Sequence, residues 1–294
     1  MNQLAHELAN EIFMSSSYAA HLVVEGSSDY VVFKQHVIAA NGINILPAHG
    51  GANLISCKAS VEAMKVKSPQ YATRKIHFFM DRDYQLVLGK VVISETLTTT
   101  DLRDMECQMV ASDAFNAVVT EIACPKKMSA ANMGAKELRL KLLACAETIG
   151  AIRFASAKHD RAIDFKELNA SKFFDGKNLA LSGEKLSAHL AGKNKHCTVT
   201  VNTIAQDVEL CKKENYFENP LLLCSGHDIA LLMSSAFKVW WKAKNFNGSL
   251  EIDTLESMLR LSYRDIFRSS VGYKKVHAWL LKVTSRSDLL AAPI

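Results

Sequence analysis

Hydrophobic and polar positions in the first third of the chain alternate between helical and strand-like patterns. Leu4, Leu8, Ile12 and Phe13 recur at helical spacing, which predicts an amphipathic helix over residues 3–14. Three short apolar runs predict buried strands: HLVVEG, INILPA and KIHFFMDRD. The stretches between these runs have features of helices, so the order is strand–helix–strand–helix–strand. This order predicts an α/β fold with a parallel sheet, right-handed crossovers and flanking helices.

The rest of the chain gives a less regular pattern. KVVISET, residues 90–96, predicts a further strand, the threonines after it a polar turn, and RDMECQMV a helix. Residues 133–150 predict a long helix that ends at Gly150. NPLLLC predicts a buried strand that rejoins the sheet, because a strand covered on both faces is apolar throughout. A helix is expected directly after this strand, and residues 250–290 are expected to be helical in pieces.

Composition and charge limit the classes of protein to which the chain can belong. The chain has 294 residues, of which 49% are hydrophobic and 22% charged, which excludes a disordered tail, a collagen-like repeat and a disulfide miniprotein. The net charge of +5 permits a nucleic-acid partner without arguing for one. Seven cysteines without a CxxC pair favour reduced thiols, and no apolar run approaches the roughly 20 residues that span a bilayer. A cytoplasmic protein is expected.

Acidic residues follow the predicted strands at three places. Glu25 ends the first strand, Asp81 and Asp83 end the third, and Asp104 and Glu106 lie in the RDMEC segment. The carboxyl ends of parallel strands form the ligand crevice of such sheets, and alternate residues of an extended segment point the same way. Converging carboxylates are ligands suited to Mg²⁺. Each acid taken alone also fits a solvated turn or a helix cap.

The order and spacing of VVEGSSD and FFMDRD resemble those of the Toprim domain of topoisomerases, primases and OLD-type nucleases. The resemblance covers roughly the first third of the chain and implies a Toprim-like parallel sheet flanked by helices. It implies catalytic roles for Glu25, Asp81 and Asp83, with Mg²⁺, or alternatively Mn²⁺, as the cofactor. Glu106 is the best match to a further acidic metal ligand of the related nucleases, beside Glu25, Asp81 and Asp83.

The layout of the whole chain resembles the AriB-like effectors, Toprim ribonucleases of the PARIS anti-phage system. This resemblance implies an endoribonuclease that cleaves host tRNA, is controlled by an ABC-type ATPase partner and acts as a homodimer. It also suggests a division into a Toprim core with its N-terminal helix over 1–125, a mostly helical insertion over 126–218, and a returning strand with C-terminal helices over 219–294. The alternatives are an OLD-type DNA endonuclease and a non-catalytic Toprim-derived subunit that binds nucleic acid or the ATPase.

Basic residues outside the acidic segments are candidates for nucleic-acid binding. Interleaved lysines and tryptophans in FKVWWKAKNF suit phosphate binding and base stacking, but the favoured interpretation is an amphipathic helix with core tryptophans and solvated lysines. The His of SGHD opens a predicted helix, where anions bind well, but capping or packing is an equal alternative. The candidates are Lys158, His159, Arg161, His227, Lys238 and Lys242. A nucleotide-binding P-loop pattern is absent, so the chain is not expected to be an ATPase itself.

Overall fold

The computed structural model describes residues 2–15, 17–36, 42–90, 94–195, 200–214 and 217–284. The helices, in chain order, are α1 Asn2–Met14, α2 Ser27–His36, α3 Gly51–Lys67, α4 Pro69–Ala72, α5 Met105–Ala111, α6 Asp113–Ile122, α7 Pro125–Ala130, α8 Ala135–Lys158, α9 Gly183–Lys193, α10 Val201–Glu214, α11 Pro220–Leu223, α12 Gly226–Ala236, α13 Ile252–Tyr263 and α14 Val271–Thr284. The strands are β1 Ala20–Val24, β2 Ile43–Pro47, β3 Lys75–Met80, β4 Leu97–Thr99, β5 Phe174–Asp175 and β6 Ala180–Leu181.

These elements form two compact units, each assembled from separate stretches of the chain. The first contains the described residues of 1–82, 91–101 and 267–294, and the second those of 83–90 and 102–266. The predicted division into 1–125, 126–218 and 219–294 has other boundaries. Residues 126–218 are mostly helical, as expected, but they belong to the same compact unit as α5, α6, α12 and α13.

The first unit is an α/β structure built on a four-stranded parallel sheet in the order β2-β1-β3-β4. In register, Val24 of β1 lies opposite Pro47 of β2 and Phe79 of β3, so the carboxyl ends of the three strands lie at the same edge. The predicted α/β class and parallel sheet with flanking helices are confirmed.

Alternation along the strands explains why helices cover both faces of this sheet. Val23 and Phe78 join a buried apolar cluster with residues of α1 and α3. The next residue of β3, Phe79, points to the other face, where its ring lies 4.8 Å from that of Phe33 in α2. On that face α14 also packs against the strands, with the Trp279 ring 5.0 Å from that of His77. Burial on both faces accounts for the nearly continuous apolar strands.

The second unit packs helices around α8 and α12 and adds the two-stranded antiparallel hairpin β5–β6. The predicted strand at 219–224 is wrong, because Pro220–Leu223 forms the short helix α11. Asn219 caps this helix through its side-chain oxygen, which accepts from the Leu221 N–H at 2.9 Å, and Pro220 occupies the first helical position. Asn followed by Pro is a sequence signal for a helix start, and here it outweighs the apolar run.

The end of the long helix and the position of the fourth strand also differ from expectation. Helix α8 continues through Gly150 to Lys158, and a Cβ built at Gly150 would lie 2.7 Å from the Leu223 carbonyl oxygen. Gly150 therefore permits close packing and does not end the helix. Strand β4 contains the threonines Thr98 and Thr99, which were expected in a turn. Residues 91–93 of the predicted KVVISET strand lie outside the described residues.

Two histidines are buried in the sheet of the first unit. His21 in β1 is 0% exposed and His77 in β3 is 2% exposed. Burial lowers the pKa of His77 to about 4. Burial, assisted by the charge of Arg74, lowers the pKa of His21 to about 4. Both imidazoles are therefore neutral in the folded protein at neutral pH.

We expect the free energy of unfolding to fall as the pH is lowered from about 6.5 toward 4. In this window the unfolded chain binds protons that the folded chain excludes, so the stabilisation is complete above pH 6.5 and is lost below it. For His77 alone the loss at pH 4 is about 3 kcal/mol. Urea unfolding at a series of pH values measures the slope, which His77→Gln should reduce. An unchanged slope in His77→Gln would contradict the assignment.

Candidate functional site

Glu25 and Asp81 lie at the carboxyl edge of the parallel sheet in the first unit. They directly follow the neighbouring strands β1 and β3. The backbone N–H of Asp81 donates a hydrogen bond of 3.0 Å to Oε2 of Glu25. The Glu25 carboxylate therefore contacts the backbone of Asp81, just after the end of β3. Both residues are half-buried.

A glycine turn holds Glu25 from the opposite side. Gly50 has a φ of 122°, in the region that favours glycine, and its N–H donates to the Glu25 carbonyl at 2.9 Å. A Cβ built at Gly51 would lie 3.2 Å from Oε1 of Glu25. The carboxylate therefore packs against the first turn of α3, where the helix dipole favours negative charge.

Asp83 belongs to the second unit and its nearest charged partner there is Arg103. The Asp83 N–H donates to the Arg103 carbonyl at 2.8 Å, and its carboxylate lies 3.5 Å from Nε of Arg103. Burial raises the pKa of Asp83; Arg103 opposes this shift and Asp104 adds to it. The backbone at Asp83 has a φ of 44° and starts a turn, so the extended geometry assumed for Asp81 and Asp83 is wrong.

Asp104 joins α5 to α12 in the second unit. Its Oδ1 accepts from the Cys107 N–H at 2.8 Å, which caps α5. The same carboxylate accepts from the Gly226 N–H at 3.0 and 3.2 Å and from the Ser225 hydroxyl at 3.2 Å. Glu106 lies in the first turn of α5 against Gly226. The helix-capping alternative therefore applies to Asp104.

Gly226→Ala should destabilise the second unit by about 1–3 kcal/mol, because a well-packed site has no room for an added methyl group. A Cβ at Gly226 would lie 2.3 Å from Cβ of Glu106 and 2.7 Å from the backbone nitrogen of Cys107. Gly183→Ala is the matched control, since no atom lies within 4 Å of its built Cβ. Urea midpoints measure both variants. Equal midpoints for the two variants would show that the contact between α5 and α12 is not tight.

The four predicted metal ligands divide between the units. Glu25 and Asp81 lie in the first, and Asp83 and Glu106 lie in the second. Among the residues that the structure describes, no group of three or more His, Cys, Asp or Glu side chains is arranged to hold a metal ion.

A cavity of about 550 Å³ opens in the second unit beside Asp83. Two guanidinium groups line this cavity, and each lies over an aromatic ring. That of Arg103 is 4.2 Å from the centre of the Tyr84 ring, and that of Arg153 is 4.3 Å from the centre of the Phe165 ring. The Tyr84 hydroxyl donates to the Leu223 carbonyl at 2.7 Å, which fixes one wall of the cavity. Sequence reasoning did not select these four residues.

Arg153 is held in place by Asp228, which is 0% exposed. Nε of Arg153 donates to Oδ2 of Asp228 and its terminal nitrogen NH2 to Oδ1, each at 2.7 Å. Asp228 stands in the SGHD segment, beside the His that the sequence analysis chose. No sequence pattern distinguishes a buried, doubly bonded Asp from the acid often found in the first turn of a helix.

Most of the predicted nucleic-acid ligands have acidic partners. Lys158 lies 3.3 Å from Glu214, and Arg161 forms an ion pair with the buried Asp207, so both connect the end of α8 to α10. His159 is the exposed residue that ends α8. The predicted patch at 158–161 is therefore largely neutralised by acids.

The remaining predicted ligands lie on or after α12. Nδ1 of His227 lies 2.8 Å from Glu256, and this hydrogen bond raises the pKa of His227. Lys238 donates to Glu251 at 2.7 Å. Nζ of Lys242 lies 6.0 Å from the centre of the Phe246 ring.

Comparison with protein-family models and with curated proteins finds no match for this chain. The candidate site is therefore argued from its own residues. Within the described residues, no helix combines the length and the apolarity that crossing a membrane requires.

Proposed function

We propose that this protein is a Mg²⁺-dependent nuclease related to the Toprim nucleases. The single observation that carries the proposal is the 3.0 Å hydrogen bond from the Asp81 N–H to the Glu25 carboxylate, at the carboxyl ends of adjacent parallel strands. Ligand sites of parallel α/β sheets lie at this edge. The resemblance of VVEGSSD and FFMDRD to the Toprim motifs supports the same two residues.

Glu25 and Asp81 fit a Mg²⁺ ion, which takes one or two protein carboxylates and keeps waters or phosphate oxygens as its other ligands. Bound at this pair, the ion would neutralise charge on the transferring phosphoryl group and lower the pKa of an attacking water.

Glu25 would serve either as a ligand of this ion or as the general base for the attacking water. Its carboxylate is oriented by the Asp81 N–H and by its packing against Gly51, so it needs little rearrangement before the proton transfer. Glu25 and Asp81 are only half-buried, so a phosphodiester of the substrate can reach their exposed atoms.

The proposed substrate is host tRNA and the proposed role is that of a toxic effector in anti-phage defence. An ABC-type ATPase partner, an active homodimer and a cytoplasmic location belong to the same proposal. These points rest on the resemblance of the chain layout to the AriB-like effectors. The mild positive charge of +5 is compatible with a nucleic-acid substrate.

Purified protein incubated with total tRNA and with single- and double-stranded DNA tests this function. Cleavage of tRNA in Mg²⁺, and its absence in EDTA, is the expected result. Preferential nicking of DNA would favour the OLD-type endonuclease instead. Absence of cleavage on every substrate in both Mg²⁺ and Mn²⁺ would contradict the nuclease proposal.

A non-catalytic Toprim-derived subunit is the second candidate. It is favoured by the pairing of Asp83 with Arg103, which engages one of the predicted catalytic carboxylates in an ion pair. Such a subunit would bind nucleic acid or the ATPase with the same affinity in Mg²⁺ and EDTA and would cleave neither RNA nor DNA.

A further inference from the structure

Three segments of the second unit meet around Trp240. They are the start of α7, the β5–β6 turn and a stretch of π-helix over residues 237–241 that continues α12. The Cys124 N–H donates to the Trp241 carbonyl at 2.8 Å, and the Trp241 indole N–H donates to the Gly176 carbonyl at 3.0 Å. Backbone and side-chain hydrogen bonds therefore hold the three segments in one arrangement.

The two neighbouring tryptophans have different surroundings. Trp241 is 3% exposed and serves the core, in agreement with the simpler expectation for this helix. Trp240 is 38% exposed. An indole of this size left partly in water offers a flat apolar surface on which a base can stack.

Two lysines from different segments lie at the Trp240 ring. Nζ of Lys127 and Nζ of Lys177 are each 4.6 Å from the centre of the ring, within the range of cation–π attraction. Lys127 also donates to the backbone carbonyl of Trp240. Two positive charges from different segments are therefore placed at one indole, where they favour an anionic ligand.

The acidic residue Asp175 lies within electrostatic range of Lys177. Within the part of the chain that the structure describes, neither Lys127 nor Lys177 forms an ion pair, in contrast to Lys158 and Lys238. The neighbouring acid of the β5–β6 turn, Asp175, accepts hydrogen bonds from the Lys177 and Asn178 backbone N–H groups. The stretches 123–133 and 229–250 contain no Asp or Glu, and besides the paired Lys238 they supply Lys126, Lys242 and Lys244.

We propose that Lys127, Trp240 and Lys177 form a docking surface for single-stranded nucleic acid, in which the lysines bind backbone phosphates and the indole stacks on an unpaired base. The identity of the partner rests on the proposed nuclease function. The surface is separate from the predicted patch at 158–161, in which Lys158 and Arg161 already have acidic partners. Unpaired bases are required because a stacked duplex does not present base faces to a side chain.

Fluorescence anisotropy of a labelled 12-nucleotide single strand, measured in EDTA, tests the surface without requiring cleavage. Lys127→Gln combined with Lys177→Gln should weaken binding about 10-fold or more at low salt and reduce the salt slope by about 1.4, since each lost phosphate contact contributes about 0.7. Trp240→Ala should weaken binding about 5-fold or more, while Trp240→Phe retains most of the affinity. An abasic strand should bind wild type and Trp240→Ala equally.

Lys274→Gln combined with Lys275→Gln is the matched control, because these exposed lysines of α14 should leave binding unchanged. Melting curves verify that every variant is folded. RNA and DNA strands should both bind, because phosphates and base faces are common to them. The proposal would be overturned if the Lys127, Lys177 and Trp240 substitutions left the affinity for the strand unchanged, which is the result expected if the surface binds an acidic protein instead. It would also be overturned if the control variant lost as much affinity as these variants. Binding at this surface without any cleavage would contradict the nuclease function alone.

Discussion

Glu25→Gln should abolish nucleic-acid cleavage while leaving the fold intact. The amide keeps the size of the side chain and an oxygen that accepts the Asp81 N–H, so the 3.0 Å hydrogen bond can persist. It removes the negative charge and the ability to accept a proton from water. Loss of general-base catalysis typically lowers rates by 10²–10⁴-fold, and loss of a metal ligand adds to this. Single-turnover cleavage of tRNA in Mg²⁺ measures the effect.

Glu62→Gln is the matched control for the loss of one carboxylate. Glu62 is exposed on α3, the same helix whose first turn contacts Glu25, and its ion pair is with Lys58. This variant should cleave at the wild-type rate. Melting temperatures close to wild type in both variants would exclude unfolding as the cause. Wild-type cleavage by Glu25→Gln would remove Glu25 from the mechanism, whatever the substrate.

The first unit was predictable because its strands are short, apolar and separated by helical patterns. Burial of both sheet faces selects runs such as HLVV and HFFM, and the parallel order follows from the alternation with helices. The same rule failed at LLLC, where residues 220–223 are helical. A run of four apolar residues does not distinguish a strand from a buried helical turn, and the preceding Asn-Pro was the informative signal.

Backbone conformation and tertiary contacts determine which parts of the candidate site could not be predicted from the sequence. Glu25 and Asp81 could be chosen because strand ends are visible in the sequence. The left-handed conformation of Asp83 and its pairing with Arg103 depend on a turn that no pattern in FFMDRD reveals. The cavity residues Tyr84, Arg103 and Arg153 were missed for a related reason, since they meet only after distant segments fold together.

Ion pairs also explain why the basic candidates could not be judged from the sequence. Lys158 and Glu214 are far apart in sequence, as are Lys238 and Glu251, so a count of lysines overstates the charge available to a ligand. The two tryptophans of FKVWWKAKNF have different environments. Trp241 is buried, as expected for core packing, whereas Trp240 is partly exposed, as base stacking requires. The neighbours Lys127 and Lys177 come from other segments and carry no sequence signal for this contact.

The buried ion pair of the second unit should show the largest effect of a single substitution on stability. Asp228→Ala should lower the free energy of unfolding by about 3 kcal/mol, because it leaves the largely buried guanidinium of Arg153 without its carboxylate. The Asp228 side chain is 1% exposed and that of Arg153 is 19% exposed, with two hydrogen bonds of 2.7 Å between them. Urea unfolding followed by far-UV circular dichroism measures the loss.

Asp160→Ala removes one acid of an exposed pair and provides the comparison. Asp160 lies 3.0 Å from Lys90, with side chains that are 83% and 49% exposed, so the solvent screens their attraction and the loss should stay below about 1 kcal/mol. Replacing both members of the buried pair, as Asp228→Leu with Arg153→Met, should recover much of the stability lost in Asp228→Ala, because no isolated charge then remains. This recovery separates the cost of an unpaired guanidinium from the cost of a cavity. If Asp228→Ala loses no more stability than Asp160→Ala, the Arg153 guanidinium is hydrated without its partner, and the assignment of this pair as the strongest ionic contribution to stability is wrong.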